Sequence, residues 1–343
     1  MGAGSPLTRA DLMARATGVG SHPGEDQHEY DEAVKVVLGE LTDLAYVPEV
    51  PGRGAGAGMT GRGVAIMAAL GADLQPAGWR LTDAPGIDQR RARSLLAQDL
   101  DGFEERAQGF TGTLKVQVVG PWTMAATVER PRGDKVLADP GARRDLAQAL
   151  AEGLRDHVAD VRRRVPGAAG VVVQVDEPAL PAVLEAKVPT ASGFGRHRAV
   201  HPPEASQALE WVLSAVSESG AEPWVHGCAA GMPLDLVRGA GAGGLSVDLA
   251  VLTARDHDDL GAALDAGATV ALGVVPSADP AAAPTDAQVT ESVVRWLDLL
   301  GLDPDEVGGR LVLTPACGLA GASPAWAQRA LTLLRAAADH LSG

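Results

Sequence analysis

Cysteine is almost missing from this chain of 343 residues: Cys228 and Cys317 are the only two. That excludes a disulfide framework and leaves metal ligands or buried thiols as the readings for the pair. Aromatic residues are also scarce, at 3%, which argues against base-stacking platforms and leaves the core to be packed from Ala, Val and Leu. Basic residues are outnumbered, with 29 Lys+Arg against 44 Asp+Glu and a formal net charge of −15. Such a field repels phosphate backbones and anionic lipid, so neither nucleic acid nor a membrane surface is an expected partner. No apolar run approaches the roughly 18 residues of a membrane-spanning helix. The first residues, Met1 to Arg9, lack the apolar stretch of a signal peptide. The expectation is a soluble cytoplasmic protein, and by size an enzyme.

Short Val-rich runs are what the chain has in quantity. Eight recur between helical patterns: Ala16–Ser21, Ala45–Val50, Leu114–Pro121, Val171–Pro178, Glu222–Cys228, Gly244–Ala250, Thr269–Pro276 and Arg310–Gly318. Most are nearly continuous in apolar residues, as parallel strands covered on both faces are. Asp139-Pro140 and Ser323-Pro324 each place a capping residue before a proline at a helix start. Eightfold strand–helix alternation predicts an α/β protein with a single (β/α)8 TIM barrel over residues 16–343, preceded by a loose N-terminal arm at 1–15. The long gap after strand 2, Pro51 to Thr113, predicts an insertion holding a Gly-rich loop and two helices. Within it, Gly56-Ala-Gly58-Met-Thr-Gly61 fits the dinucleotide pattern G-x-G-x-x-G. The tight strand–helix turn that pattern needs is absent, so a flexible loop over the barrel mouth is the favoured reading.

In such a barrel the chemistry sits at the C-terminal ends of the strands. Here those ends carry Gly20-Ser21, Glu49, Asp176-Glu177-Pro178, His226-Gly227-Cys228, Asp248 and Cys317-Gly318. His226 and Cys228 are two apart on one strand, so their side chains point to one side and can meet a single ion. Cys317 ends strand 8, and Asp248, ending strand 6, can supply an oxygen ligand. A set of His, Cys, Cys and carboxylate suits Zn²⁺ better than Mg²⁺ or Ca²⁺. The alternative keeps both cysteines as buried thiols and His226 as a hydrogen-bonded core histidine; that both cysteines fall at strand ends favours the metal. Thiolate-rich zinc holds a substrate thiol deprotonated and electron-rich, which points to thiol alkylation without naming the thiol. No catalytic residue beyond the zinc site is expected.

Six motifs occur in order: Gly18-Val19-Gly20-Ser21-His22-Pro23, Val47-Pro48-Glu49, Val119-Gly120-Pro121-Trp122-Thr123, Gln174-Val175-Asp176-Glu177-Pro178-Ala179-Leu180, His226-Gly227-Cys228 and Pro315-Ala316-Cys317-Gly318-Leu319. Together they resemble the C-terminal catalytic barrel of the cobalamin-independent methionine synthase family, above all its short single-barrel actinobacterial and archaeal members. The resemblance implies a zinc-dependent transfer of a methyl group to L-homocysteine. It implies His226, Cys228 and Cys317 as ligands, with Asp248 where the family has glutamate. It places the substrate ammonium between Glu49 and Asp176 and the substrate carboxylate at the Gly20-Ser21 turn. Two rivals remain: a methyltransferase acting on another thiol such as coenzyme M, and a non-catalytic zinc-binding barrel.

For the methyl donor the sequence favours methylcobalamin or a corrinoid protein over methyltetrahydrofolate. The family's folate-using enzymes carry a histidine shortly after strand 7, and Leu272–Asp279 has none. The family's N-terminal, folate-binding barrel has no counterpart here, and the negative charge disfavours a polyglutamate tail.

Overall fold

The Val-rich runs fold as parallel strands of one sheet. The structure, a computed structural model, describes residues 13–342, so most of the expected arm, residues 1–12, lies outside the described residues. The strands are β1 (Arg15–Ala16), β2 (Leu44–Tyr46), β3 (Thr113–Val119), β4 (Gly170–Asp176), β5 (Glu222–Gly227), β6 (Gly244–Asp248), β7 (Thr269–Val275) and β8 (Leu311–Pro315). They are ordered β1-β8-β7-β6-β5-β4-β3-β2, every neighbouring pair parallel. β1 and β2 end that order, and they meet just past their last ladder residues. Ser21 bridges Glu49, the Glu49 N–H donates to the Gly20 carbonyl at 3.0 Å, and the His22 N–H donates to the Glu49 carbonyl at 2.7 Å. The result is a nearly closed (β/α)8 barrel.

All eight expected strands are present, with β1 and β2 shorter than their apolar runs. The ladder stops early because Pro48 has no N–H to give and because Gly18 lies on the Tyr46 ring, where a Cβ would come within 2.4 Å of its atoms. The helices start as their sequence signals say: Asp139 accepts from the Ala142 N–H at 2.8 Å ahead of Pro140–Arg164, and Ser323 accepts from the Trp326 N–H at 3.1 Å ahead of Pro324–Leu341.

The insertion departs from expectation. Besides the helices Met59–Ile66 and Ile87–Arg106 it contains a hairpin, Gly71–Gln75 paired with Gly78–Thr82. Its few apolar residues are held by docking rather than by their own pattern: the Leu81 N–H and the Trp79 carbonyl both bond the backbone of Glu129, each at 2.8 Å. Of the dinucleotide-like glycines, Gly61 serves packing, since a Cβ there would sit 2.0 Å from the Ala55 carbonyl oxygen.

Inside the barrel, composition changes with height. Leu44, Val172, Trp224, Ala271 and Val312 form an apolar cluster of their own. Two residues further along the same strands come Gln174 and His226, and then Asp176; β3 contributes Lys115 and Gln117. The interior is thus oily at its base and polar toward the C-terminal ends.

A buried charge cluster braces the insertion internally and reaches the barrel mouth through Arg62, which also faces Glu49. Asp99, on the helix Ile87–Arg106, accepts two bonds from Arg53 (2.8 and 2.7 Å) and one from Arg62 (3.0 Å). Asp99 is fully buried and both arginine side chains are only 6% exposed. Asp99→Ala leaves two buried guanidinium groups without their shared anion, so urea unfolding should show a loss of about 3–5 kcal/mol. A loss below about 1 kcal/mol would place the cluster among dispensable surface pairs.

Candidate metal and substrate site

The C-terminal strand ends enclose a cavity of about 280 Å³, at the small end of the roughly 300–1,000 Å³ range of ligand pockets. Gly20, Ser21, Glu49, Asp176, His226, Cys228 and Cys317 all line it, with Met59 from the insertion beside them. Seven of the eight residues singled out in the sequence therefore share one cavity. Asp248 is the exception.

At one side of the cavity the ligand atoms of His226, Cys228 and Cys317 lie within 4.8 Å of one another, the only such group of three among the described residues. The two cysteine sulfurs are in contact, with their Cα atoms 5.8 Å apart, a spacing that serves either a disulfide or, once reduced, a shared ion. His226 is buried, and its Nδ1 is held 2.9 Å from the Ser246 hydroxyl. That bond fixes the ring and leaves Nε2 as the nitrogen for an ion, the arrangement in which metal-ligating histidines are found. Burial, and after it the charge of Lys115, pushes the His226 pKa down to about 3, so the imidazole is neutral and competent to ligate. Two thiols and a neutral imidazole around one point fit zinc, with a fourth position left for another ligand.

Asp248 does not join them. It ends β6 as expected, but its carboxylate turns back to accept the Ala250 N–H at 2.9 Å. It faces a separate surface basin beside Gly273 and Pro276. The short aspartate side chain closes this local turn in preference to reaching the cluster.

Across the cavity stand the two acids. Glu49 is 7% exposed, and its Oε1 is 3.0 Å from the Arg62 Nε. That contact is an ion pair by distance but lacks hydrogen-bond alignment, since the same Nε has no bonded partner. Asp176 is buried and accepts from Gln174 at 2.7 Å. Desolvation first, and then the charge of Glu49, pushes the Asp176 carboxyl up from its ordinary value. Below both acids, Lys115 is wholly buried, and that burial pushes its ammonium down. Neighbouring Glu177 is structural, because its carboxylate receives the Trp122 and Thr123 N–H groups and the Thr123 hydroxyl, at 2.9, 2.8 and 2.7 Å.

The third element is bare backbone. The Gly20 and Ser21 N–H groups, on the cavity wall, have no acceptor among the described residues. The cavity thus offers a thiol-rich metal-binding cluster, a pair of carboxylates suited to a cation and a pair of N–H donors suited to an anion. Sequence reasoning missed Lys115, Gln117, Gln174 and Arg62. The first three carry a signal, polar residues at period two in apolar strands; Arg62, between two glycines of the insertion, carries none.

Residues 104–340, well over half of the chain, match the family described as "Cobalamin-independent synthase, Catalytic domain". Among curated proteins, none matches the chain. Among solved structures, a B12-independent methionine synthase from Shewanella sp. W3-18-1, in complex with selenomethionine, is similar with a TM-score of 0.62 and 14% identity, covering 96% of this chain and 98% of that one. A GH5_18 protein from Streptomyces cattleya shows a weaker likeness, with a TM-score of 0.46 and 18% identity over 96% of this chain and 80% of that one. Among the described residues no helix is long and apolar enough to cross a membrane.

Elemental analysis tests the cluster. Protein kept under reductant should carry one zinc per chain, and Cys228→Ser or Cys317→Ser should lose it. Oxidation of the two thiols to a disulfide should release it. Asp248→Ala should keep it, and loss of zinc from that variant would return Asp248 to the ligand set.

Proposed function

The chain belongs to the cobalamin-independent synthase catalytic-domain family, methyltransferases of the methionine synthase type, and we propose that it methylates L-homocysteine to L-methionine with the thiol held at His226, Cys228 and Cys317. The observation that carries this reading is the shared cavity: three donor groups of opposite demands face one volume large enough for an amino acid. Zinc bound at the cluster would hold the thiol sulfur deprotonated and nucleophilic near neutral pH.

The chain's own residues do the rest. Glu49 and Asp176 take the α-ammonium, and the Gly20 and Ser21 N–H groups take the α-carboxylate. These opposed clusters fix the thiol-bearing arm toward the cysteines, which makes sulfur attack a matter of orientation. Met59 and Pro51 cover one side of the cavity and limit water access. A coenzyme M reading leaves the two acids without a cation to bind. A non-catalytic reading leaves the bare N–H pair unexplained.

The methylcorrinoid donor expected from the sequence is not supported, because the family is defined as cobalamin-independent. We therefore take a methylated pteroylglutamate as the donor. The sulfur–carbon bond forms as the carbon–nitrogen bond breaks, and the leaving nitrogen must gain a proton. The strand-7 loop does not supply it: the Ser323 hydroxyl and N–H hold Asp279 at 2.6 and 2.7 Å and keep its carboxyl below the usual carboxylate range. The proton then enters with the donor or through the open mouth.

Two measurements test the proposal. Asp176→Asn should raise KM for L-homocysteine by roughly 10–100-fold while changing the reaction of propane-1-thiol by less than about threefold. Equal losses for the two thiols would take Asp176 out of substrate recognition. With methyltetrahydropteroylglutamate or methylcobalamin as the only donor, methionine should form from the folate; activity from the corrinoid alone would reverse the donor assignment, and activity from neither would favour the non-catalytic barrel.

A further inference from the structure

Lys115 has no part in the steps above and is hard to explain as structure. It lies wholly buried inside the barrel, where an ammonium is expensive to desolvate. The apolar cluster of Leu44, Val172, Trp224, Ala271 and Val312 already packs the base of the barrel without it. Among the described residues no carboxylate lies within ion-pair distance of its Nζ, which donates instead to the Val19 carbonyl at 2.8 Å and to the Gln117 Oε1 at 3.0 Å.

We propose that Lys115 is a positioning residue for the amino-acid head of the substrate, acting from beneath the cavity on the Val19–Gly20 peptide and on the Glu49–Asp176 pair; this rests on the α-amino thiol reading above.

The first route is through the backbone. Two donors converge on one carbonyl: Lys115 Nζ and Gln174 Nε2 are each 2.8 Å from the Val19 oxygen. In a trans peptide the carbonyl and the following N–H point in opposite directions. Drawing the Val19 oxygen down toward the barrel interior therefore aims the Gly20 N–H up into the cavity, where it has no protein acceptor among the described residues. Gln117, oriented by Lys115, fills the space under Gly20 so closely that a Cβ there would lie 2.6 Å from it.

The second route is through charge. Gln117 Nε2 is 3.5 Å from Glu49 Oε1, and Gln174 Nε2 is 2.7 Å from Asp176 Oδ1. Lys115 is thus linked through one amide to the first acid and through the Val19 carbonyl and a second amide to the other. With Arg62 against Glu49, two acidic and two basic side chains meet at and beneath the cavity wall. A zwitterion enters such a site without adding net charge, whereas the two acids without Lys115 would face each other with one counter-charge fewer.

The test uses an amino-acid head that needs no metal. L-Methionine is titrated calorimetrically into the metal-free chain, its Lys115→Met variant and its Lys115→Gln variant, with circular dichroism to show that each is folded. Lys115→Met should weaken L-methionine by at least roughly tenfold, and Lys115→Gln, which keeps a donor for Val19 but no charge, by less. With zinc and donor present, KM for L-homocysteine should rise in both variants while kcat stays within about threefold of wild type. Wild-type affinity in a folded Lys115→Met chain would overturn the inference. If that variant does not fold, wild-type affinity in Lys115→Gln would overturn it equally. A wild-type chain that binds L-methionine no better than propane-1-thiol would overturn the amino-thiol reading itself, and this inference with it.

Discussion

The barrel closes through residues that also form its cavity wall, and the rest of the site depends on that closure. β1 and β2 share no ladder; they are joined by the bridge between Ser21 and Glu49 and the two backbone bonds beside it. The Glu49 backbone is committed to holding the sheet shut, while its side chain turns into the cavity. The Gly20 and Ser21 N–H groups have no acceptor among the described residues, because their stretch pairs with β2 through the Gly20 carbonyl and the His22 N–H. In the proposed site, substrate recognition and barrel closure are therefore not separable. A change that opens the β1–β2 seam displaces the Gly20-Ser21 turn and Glu49, one of the two cavity acids, together.

Closure also sets the electrostatic problem. The cavity floor brings Glu49, Asp176, Arg62 and Lys115 into a space largely shut off from water, where an uncompensated charge is worth several kcal/mol. The fold meets this with the two side-chain amides Gln117 and Gln174, which satisfy carboxylate oxygens and a backbone carbonyl at once, and with the insertion, whose Arg62 is held between Glu49 and Asp99. The insertion is thus more than a lid: it carries one of the counter-charges that allow Glu49 to stay inside.

Much of this is legible in the chain. The eight apolar runs mark the strands, and the cap–proline pairs mark two helix starts, because these depend on local chemistry. Seven of the eight proposed site residues meet in one cavity, since position at a strand end is enough to direct a side chain to the barrel mouth. What depends on distant partners is not legible. The hairpin of the insertion is stabilised by the backbone of Glu129, some fifty residues on in sequence, and Arg62 acquires its meaning only through Glu49 and Asp99. Asp248 stands at the expected strand end and is still lost to a competitor two residues away, the Ala250 N–H.

The loss of Asp248 from the cluster changes its charge arithmetic. Two thiolates, a neutral imidazole and a carboxylate would carry three negative charges against a divalent ion; two thiolates and the imidazole carry two. The protein set would then balance a divalent ion held there, and a substrate sulfur bound as a third thiolate would bring the whole excess negative charge with it. In the proposed site, an amino acid whose head is neutralised by Glu49, Asp176 and the Gly20-Ser21 turn would deliver that one charge to the sulfur end of the cavity. Electron density would in this way be concentrated on the atom proposed to accept the methyl group. A fourth protein ligand would have shared that charge and occupied the position the sulfur needs, so the turned-away aspartate is consistent with a site that leaves its last place to the substrate.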